Sequence, residues 1–109
     1  MAWEVTWTQT AWNDLETVAD YIVKDSCHYA AAFVRESRDA AQSLAQLARR
    51  GRMVPEFRDP SIRELFVRDY RLIYQITEST IYVIGFVHGA RDLWSLWERE
   101  KRNHTRNEK

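Results

Sequence analysis

The stretch IRELFVRDYRLIYQITESTIYVIGFVH, residues 62–88, decides the fold. Its apolar residues recur with the two-residue period of β-strands in three runs, Ile62–Val67, Tyr70–Thr77 and Thr80–His88. The gaps hold only Arg68-Asp69 and Glu78-Ser79, short enough for tight hairpins. A meander of three antiparallel strands follows. Two-residue loops also set the register: 67 pairs with 70, 66 with 71, 77 with 80 and 71 with 86.

Directly paired residues share a face. One face of this meander collects Leu65, Val67, Leu72, Tyr74, Ile76, Ile81, Val83 and Val87, an apolar set suited to a core. The other collects Glu64, Phe66, Arg71, Ile73, Gln75, Tyr82, Ile84, Phe86 and His88. That mixture is too apolar for a solvated face and too polar for a core, so something should cover it. The cover is either a partner or the chain's own Trp94/Trp97 segment. In this register Arg63 is sent toward the core side, where it must sit at the sheet edge or meet an acid.

Upstream, Trp3, Val5 and Trp7 alternate with polar residues as a half-buried strand does. Thr8 or Thr10 offers an N-cap to a helix whose stripe runs Ala11, Leu15, Val18, Ile22, ending near Lys24. Asp25-Ser26 breaks it. A second stripe through Ala30, Phe33 or Val34, Ser37, Ala41, Leu44 and Ala48 follows, with Arg49 and Arg50 at its negative end and Gly51 as its terminator. So short a connector makes the helices an antiparallel αα-hairpin. Pro55 and Pro60 mark 51–61 as a loop. Beyond Gly89, Leu93, Trp94, Leu96 and Trp97 predict a short helical element, and residues 102–109 a polar tail. The order β-α-α-β-β-β defines an α+β fold, one domain over residues 1–101.

Composition agrees with a single globular domain: 109 residues, 45% hydrophobic and 13% aromatic. A lone Cys27 cannot form an internal disulfide, no apolar run nears the roughly 18 residues of a membrane span, and the start lacks a signal-peptide pattern. A cytoplasmic location without membrane contact is expected. The net charge of zero conceals a split, −4 over residues 1–48 and +4 over 49–109. Such polarity fits an anionic partner or ordinary solvated faces equally well.

One constellation could carry chemistry. Arg71 begins its strand, His88 ends the neighbouring one, and Glu64 lies on the next strand over. RNA cleavage at a 2′-hydroxyl needs a base, an acid and a cation for the developing phosphorane charge. Glu64 and His88 could supply the first two, Arg71 or Arg91 the third, without metal. Cross-strand Arg–Glu pairs are, equally, common structural salt bridges. Cys27-His28 lacks metal-ligand spacing, three glycines form no phosphate loop, and no cofactor is expected.

The segments Val54-Pro55-Glu56-Phe57, Ile62-Arg63-Glu64-Leu65, Tyr70-Arg71-Leu72-Ile73-Tyr74 and Val87-His88-Gly89-Ala90-Arg91-Asp92-Leu93 together resemble the RelE/ParE toxin superfamily of bacterial type II toxin–antitoxin systems. The likeness runs from Trp3 to about Trp97, and the strand order above is that family's fold. It implies a toxin held inactive by a cognate antitoxin, in a toxin–antitoxin hetero-oligomer. RelE-like members cut mRNA in the ribosomal A site; ParE-like members poison DNA gyrase. Arg71 falls on the strand arginine of the nucleases and Arg91 on the arginine after the last strand. Their lysine cluster before the Tyr-Arg strand is missing, and their C-terminal tyrosine would fall near Trp97. The Pro-Glu and His-Gly-Ala-Arg-Asp-Leu pieces look more like ParE. The resemblance therefore implies a gyrase-directed toxin, with an mRNA endoribonuclease as the alternative. Phe66, Ile73, Tyr82, Ile84 and Phe86 are the expected antitoxin-facing residues, and Arg91, Trp94 and Trp97 the expected target anchors.

Overall fold

Two hydroxyl side chains fix where the helices begin. In the computed structural model, which describes residues 2–89, strand β1 (Glu4–Trp7) runs straight into helix α1 (Gln9–Val23). Thr8 at the junction has extended backbone; its Oγ1 accepts from the Ala11 N–H at 3.2 Å and donates to the Val83 carbonyl at 3.0 Å. One side chain thus satisfies an orphan helix amide and ties the helix start to the sheet. Ser26 caps α2 (Cys27–Ser43) likewise, accepting from the Tyr29 N–H at 3.1 Å. The helices pack together as the expected αα-hairpin.

Strands β2 (Arg52–Met53), β3 (Ile62–Val67), β4 (Tyr70–Ile76) and β5 (Thr80–His88) complete a five-stranded sheet, ordered β1-β5-β4-β3-β2. The meander and both hairpin turns are as the sequence predicts. Two features are additional. β1 lies parallel to β5, so the sheet is not wholly antiparallel, and the loop expected over 51–61 contributes the short edge strand β2. The α+β architecture is the predicted one. Phe33, Leu44, Leu72, Tyr74, Ile81 and Val83 fill the space between helices and sheet. Full burial of each such side chain contributes about 1.5–3 kcal/mol.

The register departs from expectation at one residue. Tyr74 pairs with Val83 and Ile73 with Gly85, leaving Ile84 as the extra residue of a β-bulge. Beyond it every β5 residue changes face: Arg71 pairs with Val87, not with Phe86, and Leu72 pairs with Phe86. Phe86 therefore enters the core, stacked on Tyr70 at 5.7 Å and edge-on to Phe33 at 5.8 Å. Val87 moves to the outer face. Next to the bulge the Phe86 N–H finds a side-chain acceptor, Asp14 Oδ2 of α1, at 3.3 Å.

The end of α2 also differs. The helix stops at Ser43, and turns follow over 44–46 and 48–49. Gly51 is no helix terminator. Its N–H donates to the Tyr74 hydroxyl at 2.9 Å, and a Cβ there would stand 2.4 Å from the Glu64 carbonyl oxygen. Close approach, not backbone conformation, requires glycine. Arg63 resolves its awkward position through this segment: Nη1 donates to the Gly51 carbonyl at 3.0 Å, and β2 rather than solvent flanks β3. An acid was not needed.

The outer face of the sheet has its own small core. Val54 and Phe57, from the proline-bounded loop, pack on Ile62, Ile73 and Val87, with Ile84 at the margin. The cover over much of this face is thus the 54–57 loop, which the sequence had not offered for that role. The helical element around Leu93–Trp97 and the tail 102–109 lie outside the described residues.

Candidate functional site

Glu64 of β3 and Arg71 of β4 lie diagonally on the outer face, since Glu64 pairs with Ile73 and Arg71 with Phe66. Arg71 Nε donates to both Glu64 oxygens, at 3.0 and 3.1 Å. Its Nη2 donates to Glu64 Oε2 at 2.9 Å and also to Oε1. The opposite edge of the guanidinium holds a second carboxylate. A turn closed by the Phe57 N–H on the Val54 carbonyl carries Glu56 over the sheet, where Nη1 and Nη2 reach its oxygens at 3.1 and 3.2 Å. Arg52 of β2 adds a contact to Glu64 Oε2 at 3.4 Å.

Glu64 is 1% exposed and Arg71 5%. Two carboxylates and two guanidinium groups leave the cluster neutral, which is how charge becomes tolerable at such burial. Burial pulls the Arg71 pKa down, but the hydrogen bonds it donates to Glu64 and Glu56 outweigh it and hold the pKa above that of free arginine. Glu56 is held below the ordinary carboxylate value, first by its hydrogen bonds to Arg71.

This geometry divides the predicted catalytic set. Arg71 and Glu64 come together as expected. His88 does not join them: the Ile84 bulge puts it on the helix-facing side, opposite Tyr70, their rings edge-to-face at 5.4 Å. A guanidinium has five N–H donors, and here donors on all three nitrogens are turned to carboxylates. Nor can a base with both oxygens occupied and no solvent access reach a substrate hydroxyl. The arrangement is built to hold the 54–57 loop against the sheet. Glu56 and Arg52 were not singled out from sequence as partners of Arg71, because a loop residue has no periodicity to place it over a strand.

Among the expected antitoxin-facing residues, Phe66 is 55% exposed, Tyr82 is exposed and Ile84 is half-buried. Ile73 and Phe86 are buried, Ile73 under the loop and Phe86 in the main core, so neither offers surface. Arg91, Trp94 and Trp97 lie outside the described residues. Among the described residues no group of three or more His, Cys, Asp or Glu side chains is placed to hold a metal ion, and no helix is long and apolar enough to cross a membrane.

Comparison with known proteins gives this architecture its context. A chain of the chromosomal ParDE toxin–antitoxin system from P. aeruginosa superposes with a TM-score of 0.67 at 21% identity, covering 80% of this chain and 96% of that one. A chain of the toxin–antitoxin complex RelBE2 from Mycobacterium tuberculosis superposes with a TM-score of 0.54 at 22% identity, covering 81% and 99%. Toxin RelE2 of Caulobacter vibrioides is 32% identical over 89 residues, 81% of this chain and 97% of the relative. The family model described as the ParE toxin of the type II toxin–antitoxin system, parDE, matches residues 5–93. The fold is that of the RelE/ParE toxin superfamily. Within it, the chain belongs to the ParE toxin family of type II toxin–antitoxin systems, and a cognate antitoxin is the partner such a toxin implies.

Proposed function

We propose that this toxin acts by binding DNA gyrase and not by cutting mRNA. The observation that carries the reading is the sequestration of Arg71 between Glu56 and Glu64. A ribonuclease of this fold needs that arginine free to meet phosphorane charge. Here it is neutralised and buried, with His88 on the opposite face of the sheet. A gyrase poison needs only a complementary surface, with energy concentrated in a few aromatic and arginine anchors. Arg91, Trp94 and Trp97 are assigned that role, since their segment joins apolar area to positive charge. Phe66, Tyr82 and Ile84 remain as the antitoxin-facing surface.

The test gives purified, antitoxin-free toxin two substrates: gyrase with supercoiled plasmid, and ribosomes translating a defined message. Cleaved plasmid complexes should accumulate, and should vanish when the chain is cut before Trp94. Codon-phased mRNA fragments would replace this reading with the nuclease.

A further inference from the structure

The end of β5 delivers the chain onto the outer face of the sheet. His88 points to the helix side, and Gly89 follows on the opposite one. The Gly89 N–H donates to the Asp69 carbonyl at 2.8 Å, and a Cβ on residue 89 would stand 3.5 Å from Phe66 Cε2 and 4.0 Å from Arg71 Cγ. The chain therefore continues from a point beside the Phe66 ring. That ring is an open aromatic surface, 55% exposed, with the Arg52 guanidinium carbon 5.6 Å from its centroid. It stays outside the small core that Val54 and Phe57 build on the same face.

The residues that follow are apolar enough to need a surface of this kind. Four of the five at 93–97 are Leu93, Trp94, Leu96 and Trp97, and indole area left in water is area whose burial stabilises. Trp94 is five positions past Gly89 and Trp97 eight. Fully extended, they reach at most about 17 and 28 Å from it; in a helix the rise alone is about 8 and 12 Å. Phe66 is within reach of both. Three apart, the two indoles fall on one face of the helical element that the sequence predicts. An indole can pack edge-on or offset against Phe66 and offer its own π-face to Arg52. The family match ends at residue 93, so the placement of Trp94 and Trp97 is read from this chain's own geometry.

We propose that residues 93–97 fold back on the outer face of the antitoxin-free toxin, with the Trp94 and Trp97 indoles against Phe66 and the Arg52 guanidinium. A second copy of the chain could offer its own Trp segment to the same ring. Docking between copies loses translational freedom that a covalent tether spares, and a tether this short holds the segment at an effective concentration on the order of millimolar. The chain's own segment is therefore the occupant. The docking does not rest on the gyrase reading, since it describes the toxin before a target or an antitoxin is present.

Full-length, antitoxin-free toxin is labelled with 5-fluorotryptophan and its five indole signals are resolved by fluorine NMR. Trp94→Phe and Trp97→Phe assign two of them, and Trp3, Trp7 and Trp12 report on the fold. A soluble gadolinium chelate broadens whichever fluorines are exposed. The Trp94 and Trp97 signals should resist broadening relative to free 5-fluorotryptophan. Phe66→Ala should abolish that protection with the other three signals unmoved, whereas Tyr21→Ala, at a position 68% exposed on α1, should leave it intact. The reciprocal measurement labels the protein with 4-fluorophenylalanine: Trp94→Ala with Trp97→Ala should shift the Phe66 signal. It decides the case if Phe66→Ala disturbs the three reporters. Indoles as accessible as the free amino acid, protection that survives Phe66→Ala in folded toxin, or an unmoved Phe66 signal overturns the proposal. Protection that disappears on dilution also overturns it and makes a second copy the occupant.

Discussion

Tyr74 and Gly51 meet so closely that each dictates the other: the Gly51 N–H donates to the Tyr74 hydroxyl at 2.9 Å, and a Cβ on residue 51 would lie 2.7 Å from that oxygen. The hydroxyl in turn donates to the Ala48 carbonyl at 2.9 Å, so one buried side chain closes the turns after α2 onto the sheet. Burial pushes the Tyr74 pKa up, partly offset by the Gly51 hydrogen bond and by Arg63 and Arg50. Tyr74→Phe leaves two buried backbone groups without partners and should cost about 1–3 kcal/mol in urea denaturation. Gly51→Ala must displace the Glu64 backbone and should cost a similar 1–3 kcal/mol. Tyr74→Ala should cost about 3–5 kcal/mol, as a large buried aromatic does.

The Arg71 cluster predicts a strong non-additivity. Arg71→Met leaves the buried Glu64 carboxylate with only the longer 3.4 Å contact from Arg52, a loss of about 3–5 kcal/mol. Adding Glu64→Leu removes that charge and should recover most of the stability. The double variant should still generate gyrase cleavage complexes, because nothing in the cluster touches the target in the proposed function. Loss of that activity in a folded double variant would tie the cluster to function directly.

Acid should release the 54–57 loop. Glu56 is held below the ordinary value of 4.5, chiefly by Arg71, so its folded pKa is depressed. Its contribution is fully present above that ordinary value and is lost as pH falls through the folded pKa. Glu56→Gln should therefore be less stable than the parent at pH 7, and the gap should close as the pH falls through the depressed folded value. A gap that is constant with pH would show that the ion pair contributes nothing.

Arg68 has φ of 57° at the β3–β4 turn, in the left-handed region, while its guanidinium pairs with Glu36 and sits 4.3 Å over the Tyr29 ring. Arg68→Asn and Arg68→Val both lose those contacts, but only valine resists the backbone conformation. The asparagine variant should melt at the higher temperature. Equal melting points would mean that the turn relaxes freely.

Phe66 tests the outer face. Phe66 is 55% exposed, so Phe66→Asp should leave the toxin folded. If the antitoxin covers this face, as proposed, the changed residue should weaken the complex by about tenfold or more in calorimetry. Unaltered affinity would move the antitoxin off this face.

The parts of the fold legible in the sequence were those with a repeating physical signal, three alternating runs, two short gaps and two helical stripes, together with a hydroxyl cap for α1; Ser26 read only as a break between the helices, not as the cap of α2. The Ile84 bulge has no such signal, because one inserted residue leaves the alternation on either side intact while exchanging the faces of Phe86 and Val87. That single residue also separated His88 from Arg71. Strand β2, two residues long, is too short for any period, and the packing of Val54 and Phe57 over Ile73 depends on where a loop returns. Arg71 and Glu64 were identifiable as neighbours from pairing alone; that Glu56 completes the cage required the loop's path.

The parallel pairing of β1 with β5 bears on how the molecule is made. Thr8 and Val83, joined through a side chain and a backbone amide, are 75 positions apart. Closing so long a loop is entropically costly, whereas the β3–β4–β5 hairpins close locally and quickly. During synthesis β1 has no strand to lie against until β5 leaves the ribosome. The final docking of β1 is therefore a late folding event. A β1 variant such as Val5→Ala should accelerate unfolding while leaving the refolding rate nearly unchanged.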